Sequence, residues 1–339
     1  MSGNPLSRIR TRNKWSILFG GAVMIALWSG CAGEVPKRYR VGMLIGADTL
    51  NPLATAIKAE MTELGYVEGT NIVYDTQSSN SDPAEEQRIA GKFVTDKVDL
   101  VFAVPGQTAR IVKSAAQGTN IPIVFANAIL EGTDLVDSVR SPGGNITGVR
   151  VPGPELALKS FESLLELTPP IKRIMVIYDP NYATNPMTLA VLRPAALSSH
   201  VTLQEVYVVH VQDTQTVLHG LEQSGDADMD AIFLLADTMS RSSEASDLIL
   251  KFGDAHRIPV AGGPAALVRN GVLLSAAADI QSQGKLAASL ADRILKGIPA
   301  GTLPVMTPGP SLYINYAKAQ KLGITVPEGL LRQAVEIIR

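Results

Sequence analysis

Cysteine, tryptophan and histidine are all scarce in this chain of 339 residues, which has one cysteine, two tryptophans and four histidines. The single thiol, Cys31, cannot form a disulfide within the chain or a thiolate metal site. Both tryptophans precede Cys31, so any aromatic wall of a later binding site must come from tyrosine or phenylalanine. The histidines are not at metal-ligand spacing with one another or with acidic residues. We therefore expect no metal and no cofactor.

Motifs for catalysis and nucleotide binding are also missing. The sequence has no nucleophile elbow, no phosphate-binding loop ending in Gly-Lys-Ser/Thr, and no Gly-x-Gly-x-x-Gly fingerprint. A net charge of −2 argues against a general nucleic-acid surface, which would be basic. We therefore expect neither an enzyme nor a nucleic-acid partner.

The first 30 residues have the layout of a secretory signal. Four basic residues between positions 8 and 14 precede an apolar stretch at 15–28, which is followed by two small residues and Cys31. The stretch is shorter than the roughly 20 residues that a membrane span needs. The ending resembles a lipobox, so we predict a signal peptide at 1–30, a lipid on Cys31 and a tether at 31–37. An ordinary signal peptide with a free cysteine is the alternative.

Cleavage before Cys31 would leave 26 basic and 32 acidic side chains, a net charge of about −6. It would place the mature chain in the bacterial cell envelope, on the extracytoplasmic side of the membrane, in the periplasm or at the cell surface.

After position 38, short apolar runs alternate with segments of helical period. The predicted strands lie near 39–46, 71–76, 99–104, 121–126, 173–178, 202–209, 231–235, 259–262 and 272–276. The predicted helices lie near 52–64, 83–95, 107–117, 154–166, 186–199, 213–223, 242–255, 281–296, 316–322 and 328–338. Such alternation predicts an α/β fold with parallel strands and helical crossovers.

A Pro-Gly-Gly-Asn break at 142–145 divides the alternation into two doubly wound sets. The chain is expected to pass between them three times, near 142–149, 272–278 and 299–305, which forms a three-segment hinge. We predict one lobe from 38–147 plus 277–302 and a second from 148–276 plus 303–339. Because ligands of such sheets bind outside the carboxyl ends of the strands, a shared cleft is expected.

This pattern resembles a periplasmic binding protein of the first structural type, and more narrowly the ABC transporter substrate-binding family that includes aromatic amino-acid binders. The resemblance covers nearly all of 38–330. The segments that carry it are Glu63–Ile72, Ile121–Ala126, Ser141–Val149, Tyr178–Asn181, Ile294–Pro299 and Ala317–Gly323. It implies two lobes, non-covalent capture of a small solute and transfer to a membrane permease.

The resemblance also implies that the loops after successive strands form the pocket. The ligand-binding residues predicted in the first lobe and at the second crossing are Asp48, Asn51, Gln77, Ser78, Gly106, Gln107, Thr108, Asn127 and Asp279. Those predicted in the second lobe are Tyr178, Asn181, Asn185 and Asp237.

Several of these residues have a second interpretation. Residues 106–108 open a helix, which favours an anion such as a carboxylate, although Thr108 could simply cap that helix. Asp237 and Asp279 could pair with a ligand ammonium or cap the following helices. The loops at 77–80 and 179–185 could contact the ligand or only form turns. Tyr178 could line the cleft or belong to the core.

The predicted function is that of an extracytoplasmic solute-binding lipoprotein. It would capture an amino acid or related carboxylate between its lobes and deliver that ligand, as a monomer, to an ABC permease. A ligand-sensing receptor that partners a signalling system is the alternative, and a two-lobed enzyme is a further one.

Overall fold

The structure is a computed structural model that describes residues 37–167, 169–224 and 229–339. Cys31 and the predicted signal peptide lie outside the described residues. Within the described ranges, no helix combines the length and the apolar character needed to cross a membrane.

The first half of the described chain forms a five-stranded parallel sheet. Its strands are β1 (Tyr39–Ile45), β2 (Ile72–Ser78), β3 (Leu100–Val104), β4 (Ile123–Ala128) and β5 (Ile146–Arg150), in the order β2-β1-β3-β4-β5. The connecting helices are α1 (Asn51–Glu63), α2 (Pro83–Thr95) and α3 (Gly106–Ala115). All five residues of β3 are buried, as expected for a central strand that helices cover on both faces.

The second half contains two further sheets. A four-stranded parallel sheet has the order β7-β6-β8-β9 and consists of β6 (Arg173–Tyr178), β7 (Thr202–Tyr207), β8 (Ala231–Leu234) and β9 (Val260–Gly262). A three-stranded sheet has the order β10-β11-β12 and consists of β10 (Leu274–Ala278), β11 (Pro310–Asn315) and β12 (Ala334–Ile338). β10 and β11 are antiparallel, so the alternation of strands and helices did not reveal every strand direction.

Nine helices of the described residues follow β5. They are α4 (Gly153–Leu165), α5 (Asn185–Ser198), α6 (Val211–Ser224), α7 (Thr238–Arg241), α8 (Ser243–His256), α9 (Ala266–Asn270), α10 (Ile280–Leu295), α11 (Tyr316–Leu322) and α12 (Glu328–Gln333). Apolar side chains form separate core clusters on the two faces of each parallel sheet. Each half is therefore a helix–sheet–helix sandwich.

The helix expected over 328–338 is wrong at its end. It stops at Gln333, and Ala334–Ile338 forms β12, which pairs in parallel with β11. The β-branched residues of this segment suit a strand, and the unpaired edge of β11 supplies the backbone partners.

The chain leaves the first sheet later than the sequence indicates. The predicted first lobe ends its first segment at 147, whereas β5 extends to Arg150 and pairs with β4 as the fifth strand of that sheet. The chain returns after β10, where α10 packs against α1 so closely that a Cβ on Gly284 would lie 2.6 Å from the Cβ of Ala56. The third passage follows Met306, whose backbone bonds to Gly148 and Arg150 of β5. Three passages thus join the halves, at the ends of β5 and β10 and after Met306.

Candidate functional site

A cavity of about 250 Å³ lies between the two halves. From the first half and α10 come Leu50, Asn127, Ile129 and Gln283, and from the second half come residues that follow β6, β8 and β9. These positions are where the strands end and the helices begin, which is the usual ligand position in parallel α/β sheets. Aliphatic side chains form the apolar wall: Leu50, Ile129, Val151, Leu156 and Leu234.

The electrostatics of the cavity favour an anion. Among the described residues that line it, Arg241 carries the only charge. Its guanidinium forms no ion pair with the described residues, and the side chain is exposed. The first turns of α4, α5 and α10 reach the cavity through Gly153, Asn185 and Gln283. Helix N-termini carry partial positive charge, so their dipoles add to the field of Arg241.

Two of the residues predicted from the sequence, Asn127 and Asn185, line this cavity. Asn127 has a φ of 55°, a left-handed conformation that asparagine tolerates better than most residues. It lies where the pairing of β4 with β5 shifts register. Asn185 is buried, and its amide donates to the Asp179 carbonyl (2.8 Å) and to Asp237 Oδ2 (3.0 Å). These two hydrogen bonds, from the Asn185 amide to groups that do not line the cavity, hold its side chain in place.

Asp237 is fully buried and caps α7. Its Oδ1 accepts from the backbone N–H groups of Met239 (3.0 Å) and Ser240 (3.1 Å). Its Oδ2 accepts from the N–H of Asp179 (2.7 Å) and from Asn185. A carboxylate offers about four lone-pair sites, and protein donors occupy all four. This geometry leaves no place for a ligand ammonium on Asp237, contrary to one of its two sequence interpretations.

Asp279 and Tyr178 also have structural roles. Asp279 caps α10 by accepting from the Ser282 N–H at 2.7 Å. Tyr178 is buried in the core, and its hydroxyl donates to Glu205 at 2.7 Å. Burial, followed by that hydrogen bond, raises the pKa of Tyr178, which keeps the phenol protonated. Neither residue lines the cavity.

Residues 106–108 do not line the cavity. Gln107 and Thr108 line a separate groove of about 710 Å³ along α2 and α3. The Thr108 hydroxyl donates to Oε1 of the buried Glu86 at 2.8 Å, and Ser79 donates to the same oxygen at 3.0 Å. The Thr108 hydroxyl is therefore already paired with a carboxylate of the protein, and Gly106 is close to Ala128.

The other predicted residues form local contacts at the rim of the first sheet and in a loop of the second. Ser78 donates to Asp48 at 2.7 Å, and Gln77 donates to Asp75 at 2.5 Å. Asn51 begins α1 next to Leu50 of the cavity wall. The N–H of Asn181 donates to Asp179, as in an Asx-type turn.

Sequence reasoning missed Arg241 and Gln283. Gln283 is 1% exposed and its Oε1 has no hydrogen-bond partner among the described residues. Leaving a buried carbonyl unpaired costs about 1–3 kcal/mol. A signal was present, because Gln283 shares the apolar face of α10 with Ala287, Ala291 and Ile294 at helical spacing. Arg241 is the last residue of the four-residue helix α7 and gives no comparable signal.

Arg150 joins the passages between the halves. Its guanidinium donates to Glu131 of the first half (2.8 Å), to Glu155 of α4 (2.9 Å) and to Thr307 of the third passage (2.9 Å). We call these four residues the Arg150 cluster. The Arg150 side chain is 19% exposed and that of Glu131 is 21% exposed, so solvent screens this pair less than a surface pair.

The described residues contain no group of three or more histidine, cysteine or acidic side chains that could hold a metal ion. A ligand-sized cavity between two parallel-sheet halves that the chain connects three times is the architecture of a periplasmic solute-binding protein. The model of the ABC transporter substrate binding protein family matches residues 40–338. The chain belongs to that family, whose members bind solutes on the extracytoplasmic side of the membrane.

Relatives of known name and structure span almost the same length. A tyrosine-binding protein from Clostridioides difficile is 24% identical over an alignment of 317 residues that covers 88% of each chain. An ABC domain from Streptococcus pneumonia, solved in complex with L-Trp, shares 24% identity at a TM-score of 0.70, covering 89% of this chain and 100% of that one. A conserved domain protein from Vibrio cholerae shares 26% identity at a TM-score of 0.66, covering 89% and 99%.

Proposed function

We propose that this protein captures an amino acid, or a closely related carboxylate, in the cavity between its halves and delivers it to an ABC permease. We further propose that it works as a monomer, tethered to the membrane through a lipid on Cys31. The names of the tyrosine-binding relative and the L-Trp complex support the amino-acid class. The cavity volume of about 250 Å³ suits a ligand of that size better than an oligomer.

The observation that carries the proposal is the charge of the cavity. Arg241 is its one charged lining residue within the described ranges, and three helix N-termini add positive potential. A bidentate bond from a guanidinium is a strong and oriented way to hold a carboxylate. We therefore assign the ligand carboxylate to Arg241 and further polar contacts to Asn127 and Asn185.

Closure of the two halves follows from where these residues lie. Asn127 belongs to the first half, whereas Arg241 and Asn185 belong to the second. A ligand that contacts both halves favours the closed arrangement over the open one, because only the closed arrangement makes both sets of contacts.

The test uses the mature protein, unfolded and refolded to remove any co-purified ligand. Titration calorimetry with each of the twenty L-amino acids should identify at least one that binds, and small-angle scattering should show a smaller radius of gyration at saturation. Absence of binding across the panel contradicts the amino-acid class. Binding without a change in radius contradicts closure.

A matched pair of variants locates the carboxylate. Arg241→Met should weaken binding of the selected amino acid by roughly 10- to 100-fold, the effect of losing a charged hydrogen bond. Arg110→Met removes an exposed arginine of the groove that contains Gln107 and Thr108 and should leave affinity unchanged. The opposite result would move the carboxylate to that groove.

A further inference from the structure

Gln283 presents a buried polar atom for which the described residues provide no partner. It lies in the first turn of α10 and lines the cavity between the halves. Its Nε2 donates to the Ala278 carbonyl at 3.0 Å, whereas its Oε1 has no hydrogen-bond partner within 37–167, 169–224 and 229–339. Only the nitrogen of the amide can donate to a carbonyl, so the bond to Ala278 fixes which atom is left unpaired.

The neighbouring groups do not satisfy this oxygen. The nearby Ser282 N–H donates to Asp279, and the Gln283 N–H donates to the Asp279 carbonyl. The packing of α10 against α1 at Gly284 and Ala56 is close, which holds the beginning of α10 in place. Oε1 is thus an unpaired acceptor on a side chain that lines the cavity, and Arg241 is the one charged residue in the described lining of that cavity.

We propose that Gln283 is the residue that selects amino acids over other carboxylates, because its Oε1 accepts a hydrogen bond from the ligand ammonium while Arg241 holds the carboxylate. This inference rests on the proposed function. Gln283 belongs to α10, which packs on the first half, and Arg241 belongs to the second half. The two ends of one α-amino acid would therefore bridge the halves. A neutral amide accepts from an ammonium without the desolvation cost of a buried carboxylate, which explains a site without an acidic residue in its described lining.

The test compares an amino acid with its 2-oxo acid, which keeps the carbon skeleton and carboxylate but has no N–H donor. The probes are the amino acid that binds most tightly in the twenty-member panel and its 2-oxo counterpart. Wild-type protein should prefer the amino acid by roughly 10- to 100-fold in Kd, the range for one charged hydrogen bond. Equal affinities of the wild-type protein for the amino acid and its 2-oxo acid would overturn the proposal before any variant is made.

Variants then assign the preference to Gln283. In Gln283→Met the ratio of the two Kd values should fall to about threefold or less, mainly through weaker amino-acid binding. Gln283→Glu retains an acceptor and should keep the preference, which shows that the acceptor is what matters. Gln281→Met changes an exposed glutamine on the same helix and should leave the ratio at the wild-type value.

A wild-type ratio in Gln283→Met would overturn the inference and would assign Oε1 to a structural water instead. Failure of the proposed function has a different signature, since no amino acid would then bind wild-type protein at all. If Gln283→Met does not fold, as judged by circular dichroism, Gln283→Ala, which also removes the acceptor, takes its place, and the wild-type ratio still tests the preference itself.

Discussion

Asp237→Ala removes a carboxylate that is fully buried and accepts four hydrogen bonds. Loss of the cap on α7 costs about 1 kcal/mol. The Asp179 N–H and the Asn185 amide each lose a buried partner, at about 1–2 kcal/mol apiece. We therefore expect the free energy of unfolding to fall by about 3–5 kcal/mol, a large share of the 5–15 kcal/mol typical of folded domains.

Urea unfolding followed by far-ultraviolet circular dichroism measures this loss. The matched control is Asp82→Ala, because Asp82 caps α2 through the N–H groups of Ala84 and Glu85 but is exposed. That variant should lose only about 1 kcal/mol. If Asp237→Ala is no less stable than Asp82→Ala, the four bonds do not stabilise the fold as argued. A stable Asp237→Ala protein that no longer binds an amino acid would return Asp237 to the role of ligand partner.

Two further predictions concern charged pairs away from the cavity. In a double-mutant cycle, Arg150→Met and Glu131→Gln should show a coupling of about 1 kcal/mol in unfolding free energy. Additive effects of the two substitutions would show that the ion pair between Arg150 and Glu131 does not stabilise the passages between the halves. The hydrogen bond from Arg193 lowers the pKa of Glu205 in the folded protein. The pair therefore stabilises the fold at pH values above the unfolded-state pKa of about 4.3. This stabilisation is lost as the pH falls from there through the lower, folded-state pKa. Urea midpoints between pH 7 and pH 3 should therefore converge for wild type and Glu205→Gln, and a constant difference would contradict the assignment.

Local sequence signals were sufficient to predict a helix or strand where the residues that begin and end it lie within the segment itself. Asp82 followed by Pro83 predicts the beginning of α2 and the structure places it there, with the Asp82 side chain on the Ala84 N–H. The run at 99–104 predicts a buried strand, and β3 is buried throughout. Residues Ala334–Ile338 were misassigned to a helix because their conformation depends on pairing with β11, which is a contact that local periodicity does not contain.

In the candidate site, too, some features could be predicted from the sequence and others depend on contacts that only folding creates. The positions of Asn127 and Asn185 on the cavity wall could be predicted because polar residues after parallel strands gather at one edge of the sheet. Whether Asp237 would bind a ligand or cap a helix could not be predicted, since both interpretations use the same residue at the same position. The four donors around its carboxylate come from three separate segments of the second half, and only folding brings them together.

The sequence by itself determined the two-part α/β organisation, because the period of its apolar residues and the order of strands and helices are local properties that select a parallel sheet. The tertiary structure alone decided which polar and charged side chains have hydrogen-bond or ion-pair partners within the protein and which are available to a ligand. Gln283 is buried and the described residues offer its Oε1 no partner, and the free charge of Arg241 depends on the absence of an acidic neighbour among the described residues of the cavity wall. Hydrogen-bond satisfaction is a property of the surroundings of an atom, and chain segments more than a hundred residues apart in sequence supply those surroundings here.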